Sequence, residues 1–232
     1  MGGRGRLRFE LLMDQVTAAL PAPPARVADA GGGTGQVAVP LAGLGYQVTV
    51  VDTSPAMLAT CAERAAEEGG APVAIVQGDA AEMAGLLGPA SQDAVLCHGL
   101  LGEVAEPAGL VAALAEVLHP GGVLSLTFLN RDWLTLRAGR RGDFAEALRL
   151  LDQDRSRTAA EVSPWLDQAG FELVEALGVG VFAAGASDDL DRAALTGLAE
   201  LERRVAGREP YRSSAHTLHL IAQRRTTLSQ VG

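Results

Sequence analysis

The first 130 positions alternate short apolar runs with stretches of helical period. Residues 27–30, 47–51, 73–76, 93–97 and 123–128 are rich in Val, Leu and Ala, as strands buried on both faces are. Between them lie helix-forming segments: one after the glycines at 31–35, and one over 56–67 with Ser54 as N-cap and Pro55 in the first turn. A third, over 104–118, closes on the Pro-Gly turn of HPGG at 119–122. That order predicts a doubly wound α/β sheet. Past Asn130 the sequence is Arg-rich and irregular to about residue 158, and period returns in a helix over 161–169 with Gly170 as its C′ residue. A strand from Phe171, a helix over 188–206 capped by Asp188 or Asp189 and stopped by Gly207, and an alternating strand over 216–223 complete the expectation. The chain reads as one domain in four stretches: a helical segment over the site at 1–26, a binding half at 27–130, a lid or substrate-recognition insertion at 131–160, and closing helices and strands at 161–232.

Composition narrows the class. At 232 residues, with 48% hydrophobic but only 4% aromatic content, the chain buries a large Ala/Val/Leu core. Charged residues interrupt every apolar run before it could cross a bilayer, and MGGRGRLRFELLMDQ has no apolar leader core, so a cytoplasmic location is expected. Cys61 and Cys97 fall in a helix and a strand and read as reduced thiols.

All 19 basic residues are Arg, and the net charge is −9. Residues 27–130 hold one Arg against 11 acids, residues 1–26 four against two, and residues 131–232 14 against 15. Arginine therefore gathers in the parts that would cover the site. A wholesale nucleic-acid coat is excluded, while a local anion-binding patch is not.

The chemistry begins in VADAGGGTGQVAVPLAGLGYQVTVVD, residues 27–52. Gly31, Gly32, Gly33 and Gly35 leave the C-terminal end of a strand, where parallel sheets place ligands, and Asp52 ends the next strand, placed to accept from both hydroxyls of a ribose. A ribose-containing cofactor follows. Gly33 to Ala38 also satisfies the GxGxxA form of a dinucleotide fingerprint. Asp29 decides between the cofactors, because a carboxylate there repels a pyrophosphate and attracts an ammonium.

Read from Asp29, DAGGGTG resembles the acidic-x-Gly-x-Gly-x-Gly motif of class I S-adenosylmethionine (SAM) methyltransferases. The resemblance implies a Rossmann-like fold: seven strands, mostly parallel with an antiparallel last strand, and helices on both faces. It implies SAM as cofactor, with Asp29 and the glycines at its methionine end, Asp52, Thr53 and Met57 along it, and Asp79 and Ala80 at the adenine. RGRLRFELL, VLCHGLLGEV, LHPGGVLSLTFLNRD, WLDQAGF and REPYRSSAHTLHLIAQRR together are similar to the tRNA 5-carboxymethoxyuridine methyltransferase family, which esterifies the carboxylate of a modified wobble uridine. That similarity implies Arg4 over the SAM carboxylate and His98 at the methyl-transfer site. It places the REPYR segment, with Tyr211 and Arg212, toward a tRNA substrate, and Asn130, Arg137 and Arg140 at the start of the insertion are the other candidate substrate residues. The chain departs from the family at Gly102, where an acidic residue is common, and at 180–185, where a polar run is common.

A carboxylate nucleophile needs no general base, only groups to hold it, and His98 with an Arg from 131–141 or Arg212 is expected to do so. For a hydroxyl or amine acceptor, His98 becomes the candidate base. A small-metabolite methyltransferase and a non-catalytic SAM-binding protein are the alternatives. His119 falls in a turn, and His216 and His219 fall on opposite strand faces, so no metal site is expected.

Overall fold

The computed structural model describes residues 3–68, 72–152, 156–187 and 189–226. One sheet holds β1 Arg26–Ala30, β2 Gln47–Asp52, β3 Ala74–Gln77, β4 Gln92–His98, β5 Leu118–Leu129, β6 Phe171–Val179 and β7 Thr217–Arg224, in the order β3-β2-β1-β4-β5-β7-β6. Neighbours pair in parallel from β3 to β5, and β7 runs antiparallel to both β5 and β6. Asp29 is in register with Val50 and Leu96, so the C-terminal ends of β1, β2 and β4 open on one edge.

The helices are α1 Gly3–Ala19, α2 Ala38–Gly43, α3 Pro55–Glu67, α4 Met83–Leu87, α5 Pro107–Val117, α6 Arg131–Arg140, α7 Phe144–Leu151, α8 Ala159–Gln168 and α9 Arg192–Val205. Strand alternation divides the core between two faces. Ala28, Val95, Leu124 and Leu126 pack with Leu114 of α5 and Leu166 of α8. Val27, Val50 and Leu96 pack with Val16 of α1, Val39 of α2 and Leu58 of α3. Cys61 and Cys97 are buried free thiols in α3 and β4.

Local signals start several elements where the sequence places them. Ser54 accepts from the Met57 N–H and Pro55 opens α3. Four expectations are corrected. HPGG does not precede β5 but lies within it: Leu118 pairs with Gln92 and Val123 with Ala94, so the intervening residues bulge between two ladder contacts. A Cβ on Gly122 would stand 2.9 Å from the His119 carbonyl and 3.1 Å from that of Asp93, which reserves the bulge for glycine. The stretch after Asn130 is not irregular but folds as α6 and α7, whose starts Asn130 and Asp143 cap. The helix expected over 104–118 begins only at Pro107, after the separate turn Leu100–Gly102. Finally, Asp191 caps α9, with Oδ1 2.8 Å from the Ala194 amide; Asp189 precedes the helix, and Asp188 lies outside the described residues.

Candidate active site

At the open edge of β1, β2 and β4, Gly31, Asp52, Thr53, Asp79, Ala80 and Leu100 contribute to the wall of a 400 Å³ cavity. Asp52 is held by its own turn: Oδ2 accepts from the Gly33 amide at 2.9 Å and Oδ1 from the Ser54 amide at 2.8 Å. Each oxygen keeps a second lone pair for a hydroxyl. Asp79 is fixed similarly by the Ala81 amide at 2.9 Å.

Behind the cavity Asp29 is only 3% exposed. A Cβ on Gly32 would come 2.7 Å from the Asp29 carboxyl carbon, so the glycine lets the backbone fold directly over it. Burial, and secondarily the charge of Asp52, raise the Asp29 pKa from 3.8 to about 7. A buried carboxylate beside a second carboxylate is relieved by an arriving cation. The donor set therefore fits SAM: an ammonium at Asp29, ribose hydroxyls at Asp52, adenine near Asp79 and Ala80. Asp29, Gly32 and Gly33 lie outside the lining of this cavity, as does His98, and Arg4, expected over the SAM carboxylate, lines a separate cavity instead. Met57 is exposed on α3 and not among the cavity-lining residues, and Gly35 serves packing, since a Cβ there would lie 2.5 Å from Cys61 Sγ.

His98 ends β4, and behind it runs a line of polar side chains. His98 Nε2 lies 2.9 Å from Ser125 Oγ, which lies 2.8 Å from His219 Nε2; His219 Nδ1 lies 2.8 Å from Gln15 Oε1. Burial lowers the His98 pKa to about 4 and that of His219 to about 3, the latter with a further contribution from His98. Burial thus favours the neutral form of both rings in the ligand-free chain.

Two adjoining cavities carry the arginines. Arg4, Arg8, Trp133, Arg137 and His216 line one of 340 Å³, and Trp133 and Arg137 continue into one of 430 Å³ with Arg140, Arg141, Phe182 and Tyr211. Among the described residues no Asp or Glu lines either. The Arg137 guanidinium sits 5.1 Å from the Trp133 ring centre, and His216 meets the same ring at 4.5 Å. Burial, then Arg8 and Arg137, lower the His216 pKa to about 4.

One wall of these cavities is organised by a carboxylate. Glu202 of α9 is 1% exposed and accepts from the amides of Val181, Phe182 and Ala183 at 3.0, 2.8 and 2.7 Å.

Two expected substrate residues are turned elsewhere. Asn130 is fully buried, donating to the Ser213 and Ala215 carbonyls at 2.8 Å and capping α6, so it builds the fold and does not face substrate. Arg212 pairs with Glu209 and does not line the cavities, whereas its neighbour Tyr211 does. Gln15, Ser125, His219, Arg8, Trp133 and Glu202 are additions that sequence reading missed. Only Arg8 carried a local signal, one helical turn after Arg4. Among the described residues no cluster of His, Cys, Asp or Glu could hold a metal, and no helix is long and apolar enough to cross a membrane.

Comparison with known proteins agrees with this geometry. Residues 28–126 match the methyltransferase domain family. The tRNA 5-carboxymethoxyuridine methyltransferase of Escherichia coli (strain K12) is 34% identical over 235 residues, covering 95% of this chain and 89% of that one. The ubiquinone biosynthesis O-methyltransferase of Xanthomonas axonopodis pv. citri (strain 306) is 34% identical over 176 residues, 72% of this chain and 71% of that one. Among solved structures, magnesium protoporphyrin IX methyltransferase of Synechocystis PCC 6803 with bound SAH superposes with a TM-score of 0.62 at 19% identity, over 94% of this chain and 82% of that one, a likeness of fold. Fold and site together define a class I SAM-dependent methyltransferase. Within that class the chain belongs to the tRNA 5-carboxymethoxyuridine methyltransferase family.

Proposed function

We propose that this enzyme methylates the carboxylate of a carboxymethoxy-type modified uridine in tRNA, acting in the cytoplasm. The observation that carries the reading is the pair of adjoining cavities, the first lined by Arg4, Arg8 and Arg137 and the second by Trp133, Tyr211 and Phe182, with no carboxylate among the described lining residues. Guanidinium forks suit a carboxylate or phosphate, and aromatic faces suit a splayed-out base. Net charge outside this patch is acidic, so RNA contact is confined to the arginine face of α1 and α6.

SAM supplies an electrophilic methyl group on a sulfonium. Asp29 anchors its ammonium, Asp52 its ribose, and Asp79 with Ala80 its adenine end. The arginines hold the acceptor carboxylate and fix its approach, so that orientation and water exclusion are the protein's contribution. Helices α6 and α7 serve as the substrate-recognition insertion. Glu202 keeps the 181–183 wall rigid in place of the polar run that the family commonly has there.

The test is methyl transfer from labelled SAM to tRNA from cells unable to make the modification, beside a small-molecule extract of the same cells. Label in tRNA that mild alkali removes supports the carboxyl ester. Label only in the extract would move the acceptor to a small molecule, and none in either would leave a SAM-binding protein without this activity.

A further inference from the structure

Gln15 of α1, Ser125 of β5 and His219 of β7 stand in line behind His98, and the chain they form ends on a backbone carbonyl. Gln15 Nε2 donates to the Gly178 oxygen at 3.2 Å. A carbonyl only accepts, so the amide orientation of Gln15 is set: its NH₂ faces Gly178 and its Oε1 faces His219 Nδ1. Oε1 also only accepts, so His219 carries its proton on Nδ1. The ring is neutral, which leaves Nε2 a bare lone pair, and Ser125 must spend its single hydroxyl proton there. Ser125 Oγ then accepts from His98 Nε2–H. The reverse assignment would set Gln15 Oε1 against the Gly178 oxygen, two acceptors in contact. His98 is neutral too, so Nδ1 holds a lone pair; that atom is buried and has no partner among the described residues. Leaving such a group unmade is costly, and it calls for a donor.

We infer that Gln15, Ser125 and His219 are positioning residues that lock His98 as the Nε2–H tautomer and so present its Nδ1 as a fixed hydrogen-bond acceptor at the methyl-transfer site. The chemistry that follows is selective. A carboxylate oxygen has no hydrogen to offer Nδ1 and is repelled by it, so the acceptor carboxylate belongs against the arginines. His98 takes an N–H or O–H of the bound molecules, favouring acceptors that carry such a donor beside the reacting group. The place of His98 at the methyl-transfer site and this last step rest on the proposed function; the tautomer does not.

The experiment uses the full chain with ¹⁵N-labelled histidine and reads the protonation of each ring nitrogen by NMR near neutral pH, His98 being assigned by the signals lost in His98→Gln. The result expected is a proton on Nε2 of His98 and on Nδ1 of His219. A proton on His98 Nδ1, or on both of its nitrogens, overturns the inference. Gln15→Leu should then let His98 populate both tautomers and lower kcat roughly tenfold with the Kd for SAM unchanged. If Gln15→Leu keeps the wild-type tautomer, the chain does not set it. Should Gln15→Leu fail to fold, Ser125→Ala cuts the chain at another link and is read the same way. Because the tautomer is measured without acceptor, an unlabelled tRNA alongside the expected tautomers would refute the proposed substrate alone.

Discussion

Replacing Asp29 by Asn should stabilise the fold and weaken SAM binding, and both effects should follow pH. The wild-type carboxyl titrates at about 7 in the folded chain against an ordinary value of 3.8. Its folded pKa is raised, so the stability associated with this group is fully present below about pH 3.8 and is lost as pH rises through about 7. About three pH units separate the two values, each worth about 1.4 kcal/mol, which puts the ceiling of the gain from Asp29→Asn at roughly 4 kcal/mol above pH 7. The neutral amide keeps the shape that fits under Gly32 without the cost of burying charge. Urea titrations of both proteins at about pH 4, 6 and 8 should therefore diverge as pH rises. Calorimetry should show wild-type affinity for SAM climbing about tenfold per pH unit below 7 and then levelling, because the ammonium needs the ionised carboxylate. The variant should bind weakly with no such slope. Equal stability at pH 8, or a flat wild-type affinity between pH 5 and 7, would refute the assignment of Asp29.

Asp52→Ala should abolish SAM binding by equilibrium dialysis, and the wild-type chain should show no saturable NADH binding at micromolar concentration. Glu202→Gln puts an NH₂ where an oxygen now accepts an amide, so it should cost about 1–3 kcal/mol in denaturant unfolding and raise the acceptor KM while leaving the Kd for SAM unchanged. Arg137→Ala removes a guanidinium shared by both cavities; filter binding should show weaker tRNA affinity and a salt slope smaller by roughly one. Asn130→Ala should lower the melting temperature, through the lost cap and two lost hydrogen bonds, without a selective change in the acceptor KM.

How far the sequence could be read depended on how far apart the interacting residues are. Asp29, the glycines and Asp52 are separated by one strand-turn-helix unit, and their motif is written in consecutive letters. The Ser54 cap is likewise local. By contrast, Gln15 meets His219 across 204 positions and Ser125 meets His219 across 94, and nothing near any of them marks the pairing. The alternation of β7 placed His216 and His219 on opposite faces; only the insertion of β7 beside β5 shows that the His219 face is the one that reaches His98. The α6–α7 pair escaped notice because Arg-rich composition masks its period, and α7 leaves Phe144, Leu148 and Leu151 exposed. HPGG reads as a turn by composition but forms a bulge within a continuous strand.

The place of β7 has a consequence for how the enzyme is made. Residues 26–105 already contain β1 to β4 and every residue that lines the cofactor cavity, so a growing chain has the parts of a SAM site early. His98 acquires the support behind it only when the last strand slides between β5 and β6, 94 residues after Ser125 has been joined. At ~5–20 residues per second that interval is on the order of 5–20 seconds. During it the nascent protein holds the elements of the donor site while the His98 ring lacks the hydrogen-bonded chain that His219 completes.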